Sequence, residues 1–152
     1  MTITTENLIE LKPTDDMEYW LELSEMFKYD NLSKEEGRKL LEYYGKYFWD
    51  IYDNGVRVAV IGCQYVPGLH WTIDGYTDPR LDRTVKRKIN VAVDSMVMVR
   101  DFLFSQKIDV IRSTHHRDNR AASRICKKCG FVFIMDIDSP IGPYKVFETR
   151  RR

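Results

Sequence analysis

Between Ile108 and Phe131 the chain reads IDVIRSTHHRDNRAASRICKKCGF, which brings thiols, imidazoles and cations together in a short span. Cys126-x-x-Cys129, with His115 and His116 upstream, has the residue types of a zinc site. Both cysteines fall inside one short helix and no second matched pair is present, so no metal is expected there. Arg117, Arg120, Arg124, Lys127 and Lys128 make the same helix basic. A basic face of this kind can track a nucleic-acid backbone. A formal net charge of +1 over 152 residues gives it no wider support, so the charges are read as solvation and no nucleic-acid partner is expected. A second basic run, Arg83 to Lys88, stands just before the longest apolar helix. A helix start offers free N–H groups and a positive dipole end to phosphate, and guanidinium groups add charge-assisted bonds.

These groups need elements to position them. Ile108 to Ser113 is β-branched and apolar, and predicts a buried strand. His115 to Asp118 is turn-like. Asp118 or Asn119 can cap a helix whose apolar face carries Ala121, Ala122, Ile125 and Cys126. Gly130 ends that helix, and Phe131 to Ile137 is a second strand. Upstream, Leu8 to Leu11 is a short strand stopped by Pro13. Met17 to Tyr29 has helical spacing, with Thr14, Asp15 or Asp16 as cap. Ser33 and Glu36 form a capping box for a second helix ending near Tyr47. Phe48 to Tyr52 and Val56 to Tyr65 flank Asn54-Gly55, a pair suited to a type I′ hairpin turn. His70 to Tyr76 is a further strand, Thr77 to Lys86 a loop, and Lys88 to Gln106 a long helix. Tyr144 to Phe147 is the last strand. The expected class is a mixed α/β sheet, six to seven strands and mostly antiparallel, with about four helices in a single domain over residues 1–152.

Asn119, Ala122, Ile125, Lys128, Gly130 and Phe131 stand in one register. That pattern, and the order of elements around it, resembles the GCN5-related N-acetyltransferase (GNAT) superfamily. The resemblance implies acetyl-CoA as cosubstrate, held between the fourth and fifth strands, and acetyl transfer to an amine within a ternary complex. It implies a phosphate loop of form Q/R-x-x-G-x-G/A. The best register is Arg87-Lys88-Ile89-Asn90-Val91-Ala92, with Asn90 on a glycine position; a rival register begins at Arg83 and puts lysines on the glycine positions. The expected cofactor contacts are Tyr76, Arg87, Lys88, Asn90, Ala92 and Asn119. Cys126 stands where many members have a tyrosine as general acid. Asp74 lies where the family often places a carboxylate base, and Trp71, Ile73 and Tyr76 are expected to desolvate it. An acceptor would lie over the N-terminal helices, where Tyr29, Tyr43, Tyr44 and Tyr47 cluster. The missing glycines and tyrosine also fit an alternative: a GNAT-like fold without catalysis, serving as a structural or interaction part such as a bacteriophage virion component.

Composition narrows the partners. Hydrophobic residues at 43% and charged residues at 31% fit a globular chain. No apolar run is long enough for a membrane span, and the first residues lack a signal-peptide pattern. Three cysteines argue against a disulfide framework and for a reducing, cytoplasmic setting, or a virion if the chain is phage-encoded. The expected partners are a small-molecule or protein amine, with a homo-oligomer or virion assembly allowed.

Overall fold

The computed structural model describes residues 2–4, 8–27, 29, 33–68, 70–140 and 142–152. The elements, in order, are β1 (Ile3–Thr4), β2 (Ile9–Pro13), α1 (Glu18–Met26), α2 (Lys34–Tyr44), β3 (Gly45–Asp53), β4 (Val56–Val66), β5 (His70–Thr77), α3 (Val85–Ser105), β6 (Val110–His116), α4 (Arg120–Lys128), β7 (Val132–Ser139) and β8 (Gly142–Arg150). The strands form an eight-stranded sheet in the order β1-β2-β3-β4-β5-β6-β8-β7. Among the described residues β5 and β6 are the parallel neighbours; the other pairs are antiparallel. The mixed, mostly antiparallel sheet and four helices follow the expectation, with the two-residue β1 as an addition.

Local chemistry explains most of the boundaries. Asn54 and Gly55 both have positive φ, +51° and +82°, as a type I′ turn requires. Ser33 and Glu36 close the capping box at α2. Asn119 Oδ1 accepts from the Ala122 N–H at 3.1 Å and caps α4, and Gly130 follows it at φ +83°.

Four expectations need correction. Helix α1 stops at Met26 rather than Tyr29, and Lys28 lies outside the described residues. Helix α2 stops at Tyr44, and Tyr47 sits in β3 paired with Cys63, because ladder bonds to β4 override its helical spacing. Strand β6 runs through His116, since His115 and His116 pair with Lys145 and Tyr144. Helix α3 begins at Val85 because the Thr84 hydroxyl accepts from the Arg87 N–H at 3.1 Å.

Two layers of helices cover the sheet. One face packs α3 and α4 over Leu11, Ile61, Ile73, Ile111 and Phe147. The other packs α1 and α2 over Val60, Phe48 and Tyr76. Strand alternation sorts these side chains between the faces, since successive residues point to opposite sides.

Candidate functional site

Strand β6 is bonded along its whole length on one side only. Toward β8 it pairs from Val110↔Arg150 to His116↔Tyr144. Toward β5 it pairs at Trp71↔Ile111 and Thr72↔Arg112, and there the ladder stops. Beyond Thr72 the two parallel strands splay apart. The opening is a cleft of about 550 Å³ lined from both faces of the sheet. Ile73 to Thr77 form one bank and Ser113 to His116 the other. The β5 backbone therefore turns toward a gap along its last five residues, Ile73 to Thr77, instead of toward a neighbouring strand.

Gly75 keeps this bank narrow. A Cβ there would stand 2.5 Å from the Val60 carbonyl oxygen. Its N–H donates to Asp74 Oδ1 at 2.8 Å. Asp74 lines the cleft but is exposed, so the desolvation expected from Trp71, Ile73 and Tyr76 is not in place. Across the gap Cys126 is buried in α4, at 2% exposure. Burial pushes its thiol up to about 11, while a hydrogen bond with the Ser113 side chain works against that and the charge of Asp74 adds to it. The thiol is therefore protonated at neutral pH. Cys129 packs on α3, its Sγ 3.6 Å from the Val93 carbonyl. Among the described residues no group of three or more His, Cys, Asp or Glu could hold a metal.

The segment that leads into α3 reaches the same cleft through Arg83, and the helix itself through Lys88. That segment is held by Asp78, whose carboxylate accepts from the Tyr19 hydroxyl at 2.9 Å and from Arg80 Nη2 at 2.8 Å. The Arg80 hydrogen bond, set against burial, holds Asp78 down to about 2. This ties the loop after β5 to α1. The helix start carries Arg83, Lys86, Arg87 and Lys88, and the cations divide. Arg87 turns to the buried Asp53, with Nε to Oδ2 at 2.9 Å and Nη2 to Oδ1 at 2.5 Å. Its bond to Asp53 lowers that carboxyl below its ordinary value despite burial. Arg83 shares Asp53, with Nη2 to Oδ2 at 2.8 Å, yet also lines the cleft. Its Nη1 is buried with no hydrogen-bond partner among the described residues.

Of the residues singled out in the sequence, Asp74, Tyr76, Lys88, Ala92, Asn119 and Cys126 line the cleft. Arg87 and Asn90 are not among its lining residues: Arg87 is turned to Asp53, and Asn90 is exposed. The register beginning at Arg83 is the one that coincides with the helix start, because Thr84 is its cap. Tyr29, Tyr43, Tyr44 and Tyr47 are not among the lining residues either. Tyr43 is 81% exposed, and Tyr47 stacks with Trp49 and Trp71. Sequence reasoning missed Ser95, fully buried on the cleft wall with an unpartnered Oγ among the described residues. A serine amid Val91, Met96 and Val99 was its one sequence signal.

No protein-family model and no curated protein matches the chain. Solved structures do. The GNAT-family acetyltransferase from Bacillus anthracis superposes with TM-score 0.70 at 13% identity, over 99% of this chain and 98% of that one. RimL, a ribosomal alpha-N-protein acetyltransferase solved with coenzyme A, gives TM-score 0.74 at 14% identity over 99% and 98%. The aminoglycoside acetyltransferase AAC(6')-Ib, also with coenzyme A, gives 0.69 at 14% identity over 93% and 95%. The chain has the GNAT fold.

In this GNAT fold the β5 edge beyond Thr72, Arg83 and Lys88 border one cleft. They fit an extended arm with amide groups that ends in a phosphate. Backbone N–H and C=O groups on β5 would pair with the arm as a strand edge does. Arg83 and Lys88, which line the cleft, would meet the phosphates. Among the described residues no helix is long and apolar enough to cross a membrane.

Proposed function

We propose that this protein is an acetyl-CoA-dependent N-acetyltransferase acting on a primary amine. The observation that carries the reading is the opening of the parallel β5–β6 pair after Thr72↔Arg112. A closed ladder would have left a scaffold without a site and removed the transferase reading. Acetyl-CoA would supply an activated acyl carbon, held along β5 with its phosphates at Arg83 and Lys88.

The residues on the two banks divide the proton work. Asp74, exposed on β5 and lining the cleft, is the carboxylate that would take a proton from the attacking amine, directly or through water. Its Oδ1 is oriented by the Gly75 N–H. Cys126 Sγ holds a proton at neutral pH and faces the same gap, so it can protonate a leaving thiolate. Tyr76, Ala92 and Asn119 shape the walls. The acceptor approaches from the α1–α2 face, where Trp20, Phe27, Leu40 and Leu41 line the cleft. Both named neighbours, an aminoglycoside and a ribosomal alpha-N-protein acetyltransferase, support an amine acceptor.

Calorimetric titration with acetyl-CoA tests the reading. A saturable heat is expected, with a rise in melting temperature; at one hundred times the dissociation constant the stabilisation is about 2.7 kcal/mol. Absence of heat at roughly millimolar acetyl-CoA, a concentration that would nearly saturate even weak binding, would remove the transferase.

A further inference from the structure

A continuous run of aromatic rings borders the α1–α2 side of the cleft, and its Trp20, Phe27, Tyr76, His116 and Tyr144 line the cleft. Trp20 meets Tyr76 edge-on at 5.4 Å, and Tyr76 meets Phe27 at 5.3 Å. Phe27 meets Tyr29 at 5.5 Å, Tyr29 stacks on His116 at 5.3 Å, and His116 meets Tyr144 at 5.7 Å. The run starts at Trp20 on α1, passes to Tyr76 on β5, continues through Phe27 and Tyr29 beyond the end of α1, and lands on β6 and β8. It therefore bridges the two banks of the splay. Gly62 makes room for it, since a Cβ there would stand 2.5 Å from Phe48 and 3.0 Å from Trp20. Charge is scarce among the described residues in the same place. Among the described residues that line the cleft, Asp74 is the single carboxylate, and Arg83 and Lys88 add positive charge.

We infer that the acceptor is a monoamine joined to an apolar or aromatic body, and that polyamines and aminoglycosides are excluded. This deepens the transferase reading and rests on it for the reaction, though not for binding. One ammonium can sit against Asp74 and the ring faces, which attract a cation when desolvated. Its apolar body gains by leaving water against Trp20 and Phe27. A polycation would have to bring its further ammonium groups onto the same rings with no second carboxylate among the described lining residues to pair them, and burying an unpaired charge is costly. Arg83 and Lys88 would repel it as well. A free arylalkylamine and a peptide whose first residue is apolar present the same chemistry, and separate probes tell them apart.

The test uses 2-phenylethylamine, a tripeptide with an N-terminal phenylalanine, spermidine and kanamycin. Each is titrated calorimetrically into the full chain, with and without CoA, and each is tried as acceptor with acetyl-CoA. Phenylethylamine or the tripeptide should bind at least about tenfold more tightly than either polycation, a difference that one unpaired buried ammonium readily produces. Whichever of the two binds more tightly identifies the source as a free amine or a peptide terminus. Phe27→Leu and Asp74→Asn should each weaken the preferred monoamine about fivefold or more while leaving the acetyl-CoA dissociation constant within about twofold. Tighter binding of spermidine or kanamycin overturns the inference, and so does binding of acetyl-CoA with none of the monoamines bound. Monoamine binding without any acetyl-CoA binding would instead keep the aromatic site and discard the transferase.

Discussion

Strand β6 has two edges with opposite fates. Its β8 edge is bonded from Val110 to His116, and its β5 edge at Ile111 and Arg112. The closed edge belongs to the core: Phe147 and Val146 on β8 are 1% and 0% exposed. The open edge is flanked by polar or small groups, among them Asp74, Gly75, Ser113 and Thr114. The same strand thus fastens the sheet on one side and creates a cleft on the other. Stability and ligand binding are separable here because each is assigned to its own edge.

Mutations on the closed edge should act on stability first. Phe147→Ala is expected to cost about 3–5 kcal/mol, as large-to-small changes at fully buried aromatic positions do. Urea unfolding measures it, and a cost below about 1 kcal/mol would mean the β8 edge is not what secures the sheet.

His115 extends the comparison to pH, since it lies in the closed ladder and lines the open cleft. Its Nε2 is 2.8 Å from Ser123 Oγ, and it stacks on Phe147 at 5.2 Å. Burial, with a smaller contribution from Lys145, pushes its pKa down to about 4. An unfolded histidine titrates near 6.5, so between these values the unfolded chain binds more protons. Stability from this group is therefore full above about pH 6.5, falls as pH drops toward 4, and levels off below, by up to about 3 kcal/mol. His115→Gln should flatten that part of the stability–pH curve, and an unchanged slope would place the titration elsewhere.

Cations at the start of α3 sharpen the contrast on the open side. Arg83→Ala should weaken acetyl-CoA binding by about tenfold, the loss of roughly one charge-assisted phosphate contact. Arg87→Ala should leave that affinity within about twofold while lowering stability by about 1 kcal/mol, a modest figure because Arg87 is one-third exposed and Arg83 still faces Asp53. The reverse ordering would restore the register that begins at Arg87. The smallest effect is expected at Cys126. Cys126→Ala should spare acetyl-CoA binding and lower the transfer rate by less than about tenfold, because water can also protonate a thiolate. A complete loss of transfer would make the thiol indispensable.

Local signals in the sequence were enough for several elements. Asn54-Gly55 fixes a hairpin because both residues tolerate positive φ. Ser33 with Glu36, and Asn119 before Ala122, cap helices through bonds that span three residues. The Asn119 to Phe131 register carried the fold, since its caps and apolar face act within one helix and the strand after it. Other features depend on partners distant in the chain. Tyr47 has helical spacing, yet Cys63 takes it into a ladder. Arg83 and Arg87 look equivalent in sequence and both reach Asp53, some thirty residues away, yet of the two it is Arg83 that lines the cleft. The aromatic run from Trp20 to Tyr144 joins rings from α1, β5, β6 and β8 that no periodicity relates. The splay of β5 from β6 was foreseen only through resemblance; where it opens was decided by tertiary structure, because a strand's own residues do not state which of its edges will find a partner.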